Sequence, residues 1–174
     1  MVEYYFHSAG HCFDGVQVLR YKIALPHFSD KDKISVFYRE IYDRVLGYCE
    51  GDLCSLSEKK YAECNMPRKN FDYPPLIYRL EGRVTCIEGD LAFVKLTASV
   101  SQRGLSDTLT VYDPHVWSLS EELLLPPKMA AREYIGTGKA SKKIGKNGFL
   151  VENGKPYVCL KDALMPLDVE KKND

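Results

Sequence analysis

Six cysteines and four histidines are the side chains of this sequence best suited to nucleophilic or metal chemistry. The thiols stand at Cys12, Cys49, Cys54, Cys64, Cys86 and Cys159. A thiol beside His27 or His115 is what a small cytosolic thiol-dependent hydrolase would need, with the imidazole taking the thiol proton. No nucleophile elbow or comparable local signature accompanies them. His7, His11 and Cys12 have soft-metal character. However, the chain has no CxxC or HExxH, and Cys49-x4-Cys54-x9-Cys64 matches no usual zinc spacing. The even count would permit three disulfides. Cys86, on the apolar side of an alternating stretch, and Cys49, near a helical stripe, instead read as buried free thiols.

Other constellations carry less. Gly136-Thr137-Gly138-Lys139-Ala140-Ser141 superficially resembles a phosphate loop. Glu133 stands where that motif needs its first glycine, and Ala140 where it needs Ser or Thr. Lys139, Lys142, Lys143 and Lys146 form a basic run without interleaved aromatics, which reads as a solvated loop rather than a nucleic-acid surface. Asp107, Asp113, Glu121 and Glu122 declare no paired-carboxylate site, and the last two suit the start of a helix. Tyr112, His115 and Trp117 flank Asp113-Pro114 and are the candidate ligand-binding residues, as an aromatic cluster on a loop. The alternative, which the residue types favour, is that the single Trp plugs the end of the core.

These residues need a frame, and Leu76–Val100 supplies its centre. Leu76, Tyr78, Leu80, Gly82, Val84 and Cys86 alternate with polar neighbours, as do Ala92, Val94, Leu96, Ala98 and Val100. Both runs are strands with one buried face. A three-residue loop, Ile87-Glu88-Gly89, puts both apolar sets on one side and Glu81 opposite Lys95. Moving the loop on by one residue would oppose Arg83 to Lys95. The other face carries Arg79, Glu81, Arg83, Lys95 and Thr97.

Residues 1–15 carry no clear pattern. Val16–Ile23 reads as a first strand ended by Pro26. Ser29-Asp30 offers a cap for a helix over about residues 30–49, with Ile34, Phe37, Tyr38, Ile41, Val45 and Tyr48 at helical spacing. Gly47 and Gly51 weaken or end it, and Ser57–Ala62 forms a short second helix. Thr108–Tyr112 completes a meander and is broken by Asp113-Pro114. Short helices follow at Glu121–Leu125 and Lys128–Ile135. Asn153-Gly154 turns a closing hairpin between Phe149–Glu152 and Lys155–Leu160, with Pro156 placing the last strand at an edge. No βαβ periodicity appears. The expected fold is α+β: an antiparallel sheet, central meander plus C-terminal hairpin, with one long helix packed on one face.

At 174 residues the chain suits a single domain, residues 1–174 with an ordered core of about 16–165. Lys and Arg together number 24, as do Asp and Glu, so no net charge draws it to nucleic acid or an anionic membrane. It holds no eighteen-residue apolar run, hence no membrane span. Its start lacks a basic flank and an apolar core, so as given it reads as cytoplasmic. No cofactor is called for.

Tyr112-Asp113-Pro114-His115-Val116-Trp117-Ser118-Leu119-Ser120-Glu121-Glu122-Leu123-Leu124, following the meander, resembles the RsiV-like bacterial extracytoplasmic domain. That domain occurs in lysozyme-sensing anti-sigma factors and beside peptidoglycan deacetylases. Asp113, Ser118, Leu119 and Leu123 match its strand-ending Asp and its Ser/Thr-Leu lead into a helix. The Phe149–Leu160 hairpin sits where it has its last strands. The family's glycine-rich segment is replaced by Ser101-Gln102-Arg103-Gly104-Leu105, and its aromatic-Asn-Pro-Tyr pattern by Lys161-Asp162-Ala163-Leu164. The resemblance implies this fold and a non-catalytic binding or sensory module with a protein or glycan ligand. It also implies an extracytoplasmic setting at the bacterial cell envelope.

Overall fold

In a computed structural model, described for residues 1–64, 73–103, 109–136, 144, 147–160 and 162–167, the chain forms two sheets and a bent helical segment. β1 (Val2–Phe13) and β2 (Val16–Phe28) make a hairpin turned by Asp14 and Gly15, at φ 51° and 77°. Two successive positive φ values suit the right-handed twist of such a hairpin, and Gly takes its share without strain. The ordered fold therefore begins well before residue 16. The sequence hid β1 because its inward positions are Tyr5, His7, Ala9 and His11 rather than aliphatics. Pro26 does not end β2. It lies beyond the Leu19–Ala24 stretch that pairs with the next strand.

α1 (Asp32–Tyr48) continues through a π-helical turn (Cys49–Leu53) into α2 (Cys54–Ala62), so Gly47 and Gly51 do not end it. Its cap differs from the expected Ser29-Asp30. Lys31 holds the cap position without a side-chain bond, and the Lys33 amide donates to Glu122 Oε2 at 2.8 Å, a carboxylate supplied from 89 residues away. Ser35 ties the entry, its hydroxyl donating to the Phe28 carbonyl at 2.8 Å. This helical segment crosses over to β3 (Leu76–Glu88), which lies parallel to β2. β4 (Leu91–Ser101), β5 (Leu109–Ser118) and β6 (Leu123–Leu124) follow antiparallel, in the order β1-β2-β3-β4-β5-β6. The sheet is thus mixed, not purely antiparallel. A single crossover was invisible to a search for βαβ repetition.

Val84 pairs directly with Val94, so the two apolar sets share a face up to Val84, while Cys86, beyond the bulge, pairs with Phe93 and faces the other core. The register is nevertheless the one that opposes Arg83 to Lys95. Thr85 is an extra residue between the Val84 and Cys86 pairings, and the turn is the two residues Gly89 (φ 58°) and Asp90. The bulge absorbs the odd residue that an unbroken ladder would place in the loop. The like-charge clash is relieved because Lys95 reaches Glu152 at 2.7 Å, while Glu81 pairs with Lys22 of β2 at 2.7 Å.

Asp113-Pro114 does not break β5. The Val116 carbonyl accepts from the Leu125 amide at 2.8 Å and so points outward, toward β6. By two-residue alternation Pro114 faces the same open edge, where its missing N–H costs no ladder bond. Residues 121–125 form a turn and β6 rather than a helix. α3 (Pro127–Ile135) matches the expected second short helix. β7 (Gly148–Glu152) and β8 (Lys155–Cys159) form the expected hairpin on Asn153-Gly154, at φ 53° and 70°. β9 (Leu164–Pro166) then pairs with β8, so Pro156 lies in a central strand. These three make a second sheet rather than an extension of the first.

Two cores result. One presses Leu19, Ile23, Leu80, Val94 and Trp117 against Ile34 and Tyr38 of α1. The other packs Leu91, Phe93 and Val116 on Phe149, Leu150 and Ala131. The turn end of β4 is therefore buried on both faces, and the supposedly solvated side is covered there by the second sheet and α3.

Candidate functional site

β5 positions all three candidate ligand-binding residues, on a strand rather than on a loop. His115 and Trp117 lie on the α1 face and are buried, while Tyr112, half-buried, falls on the opposite face by alternation. The structure therefore unites two of the three and separates the third. It adds Tyr38, fully buried, which the sequence marked only as part of a helical stripe. Trp117 Nε1–H donates to the Tyr38 hydroxyl at 2.9 Å. That hydroxyl lies 3.2 Å from His115 Nδ1, and His115 Nε2 lies 3.3 Å from Asp113 Oδ2.

The directions follow from donor bookkeeping. Tyr38 keeps its proton, since burial raises its pKa, and must place it on an acceptor; His115 Nδ1 is that acceptor. His115 then carries hydrogen on Nε2 and donates to Asp113. A proton on Nδ1 would aim two donors at one phenol oxygen and leave the phenol proton without an acceptor. The hydrogen bond from His115 is the main cause holding the Asp113 carboxyl below the usual carboxylate range. Phe37 packs edge-on against His115 and Trp117, with centroids 5.3 and 5.1 Å away, and fixes the ring planes.

Asp113 and His115 also line an open cleft of about 400 Å³ with Pro114, Val116, Leu124, Leu125, Pro126, Pro127 and Phe149. Three local features create it. β6 pairs only with Trp117 and Ser118, so beyond the Leu125 bond to Val116 the β5 edge from Asp113 to His115 has no strand partner among the described residues. Glu122, at φ 51°, reverses the chain, and Pro126-Pro127 then starts α3. Gly148 lets β7 approach: a Cβ there would run into the Pro114 ring. Sequence reasoning missed this lining. The signal was Leu123-Leu124-Leu125-Pro126-Pro127, too uniformly apolar for an amphipathic helix.

Nearby, Asp90 rebuilds the β5–β6 turn. Its carboxylate accepts from Ser118 Oγ and the Ser120 amide, both at 2.6 Å, and from Ser120 Oγ at 3.0 Å, and these bonds keep its pKa low.

The thiols are all free. Burial is the main cause raising four of them: Cys49 and Cys159 to about 12, with Cys54 and Cys86 moved the same way. An activated thiol nucleophile needs the opposite displacement. His7 and His11 share one face of β1, with Cys12 on the other. His11 Nε2 is engaged by Glu58 at 2.6 Å, and His7 stacks on Tyr21 with its Nε2 buried and unpartnered. Among the described residues no three His, Cys, Asp or Glu side chains converge as a metal site would require. His27 is hydrogen-bonded to the Tyr5 hydroxyl at 3.0 Å. The basic run Lys139, Lys142, Lys143 and Lys146 lies outside the described residues, as does Thr137–Ser141 of the glycine-rich segment. No described helix is long and apolar enough to cross a membrane.

No family model matches the sequence, and no curated protein does. Solved structures do match in fold. A DUF3298 family protein from Pseudomonas aeruginosa aligns with TM-score 0.54 and 10% identity, over 97% of this chain and 89% of its own. A DUF3298 family member from Bacteroides fragilis aligns with TM-score 0.51 and 11% identity, over 72% of this chain. The match spans 58% of the Bacteroides protein's length. These neighbours belong to a bacterial domain family of unknown function, and at such identities the likeness is one of fold.

Proposed function

We propose that this chain is a non-catalytic binding or sensory module of the bacterial cell envelope, with a protein or glycan ligand seated in the cleft beside Asp113–Val116. The observation that carries this reading is the cleft itself. It is concave and largely apolar, with a small convergent polar group held by a buried Trp117-Tyr38-His115-Asp113 chain, the usual anatomy of a ligand site. Its walls are pre-formed, since prolines, a paired turn and the α1 core set them. Little ordering cost remains to be met on binding. Burial weighs against a thiolate nucleophile at Cys49, Cys54, Cys86 and Cys159.

Backbone-amide NMR on the intact chain tests the reading. Lysozyme serves as the protein probe suggested by the sequence resemblance, and soluble muropeptides as the glycan probe. The expected result is that one of them perturbs the amides of His115, Val116, Leu124 and Phe149 in a saturable way. If neither probe moves these amides, the cleft is not the module's ligand site. A single fast-reacting thiol in a native-state titration would overturn the non-catalytic assignment.

A further inference from the structure

With the cleft as the module's ligand site, the reading on which this inference rests, its lining also discriminates between ligand chemistries. Among the described residues that lining is apolar apart from two side chains, Asp113 and His115. The imidazole is committed at both nitrogens, to Tyr38 and to Asp113, so it offers the cleft no free donor. Asp113 is different. Its side chain is 69% exposed, only Oδ2 is engaged by His115, and no cation pairs with Oδ1 among the described residues. The one lysine paired across from this stretch, Lys95 opposite Pro114, is taken by Glu152 at 2.7 Å. The cleft therefore presents one carboxylate, held ionised, at the rim of walls built from Pro114, Leu124, Pro126 and Pro127.

We propose that the cleft takes a Lys or Arg side chain of a protein partner, its aliphatic stem along the proline and leucine walls and its cationic head on Asp113. Stem and head of such a residue match the two parts of the site, because long cationic side chains lay apolar methylenes on apolar surface while the charge stays near water. An anionic ligand meets repulsion from Asp113. A sugar ring lacks a stacking platform among the described residues, where Phe149, the one aromatic carbocycle of the lining, is 1% exposed. The volume of about 400 Å³ suits a single side chain with its neighbours rather than an extended polymer.

Three probes of one shape separate the possibilities: benzylammonium, benzyl alcohol and benzoate, each titrated into the intact labelled protein and followed by amide NMR. The expected result is that benzylammonium shifts His115, Val116, Leu124 and Phe149 with at least tenfold tighter binding than benzyl alcohol, and that benzoate binds weakest. Asp113→Asn removes the preference, and Asp113→Glu restores it; both fold, because the side chain is mainly in solvent. If all three probes bind alike, or if Asp113→Asn keeps the preference, the charge assignment falls while the cleft stands as a binding site. If no probe shifts these amides, the side-chain assignment falls, and the lysozyme and muropeptide titrations alone decide whether the cleft is a binding site.

Discussion

On one face of β4, Ala92, Val94 and Leu96 meet a helix through close-packed apolar side chains, sealed by the Trp117-Tyr38 hydrogen bond. On the other, Leu91 and Phe93 meet the second sheet, but the contact runs on into polar fastenings. Lys95 pairs with Glu152, and the Thr85 hydroxyl donates to the Val151 carbonyl at 2.6 Å. The first interface is a large area of hydrophobic burial, which tolerates imprecision because it is non-directional. The second is smaller and depends on individual atoms. The cleft lies along the second, where packing gives way to discrete contacts, and that is where a site can remain open without unsettling the fold.

The sharpest way to break this contrast is Trp117→Ala. It removes a 4%-exposed ring from the helix-side core and takes away the donor to the Tyr38 hydroxyl, which keeps only His115, so denaturant unfolding is expected to show a loss of about 3–5 kcal/mol. Lys95→Met tests the other face. With only 17% and 19% of the two side chains exposed, the stranded Glu152 should cost about 2 kcal/mol, and the double variant Lys95→Met/Glu152→Leu should recover most of it. The comparably short Lys22–Glu81 pair is 41% and 48% exposed, so Glu81→Gln should lose under about 1 kcal/mol; equal losses at both pairs would erase the distinction. Gly148→Ala drives a methyl into Pro114 and should cost about 1–2 kcal/mol, with amide shifts confined to the cleft and the second sheet.

A pH dependence is shared by both faces. Cys49 sits in the helix-side core and Cys159 in the other, each raised from 9.0 to about 12. A group raised by folding keeps its full contribution below its unfolded pKa. Stability should therefore hold below pH 9 and fall as pH climbs toward 12. Cys49→Ala and Cys159→Ala should each flatten part of that decline in a pH series of melts. Asp90 and Asp113, both lowered, act in the reverse sense: their contribution is present above 3.8 and is lost as pH falls below it.

The same contrast explains what could be read from the sequence. The shared face of Val84 and Val94, the long helix, α3 and the Asn153-Gly154 hairpin were legible because periodicity and turn chemistry are local signals. The Arg83–Lys95 register was not, because its remedy, Glu152, lies 57 residues further on. Pro114 and Pro156 misled for a related reason. Whether a proline interrupts a strand depends on which side its nitrogen faces, and that is decided by partners the local sequence does not name. The site followed suit. His115 and Trp117 stood out by type, but Tyr38, 77 residues from His115, and the Leu124–Pro127 wall gained their meaning only in three dimensions.

The parallel seam between β2 and β3 has a kinetic consequence. Everything up to Phe28 is joined to everything after Leu76 by six paired positions, Leu19–Ala24 with Leu76–Glu81. The β1–β2 hairpin and the β3–β4–β5 meander each close locally and fast, whereas the seam must first bring together ends separated by the whole helical crossover. Refolding should accordingly run in two stages, with both ribbons formed early and their union setting the pace.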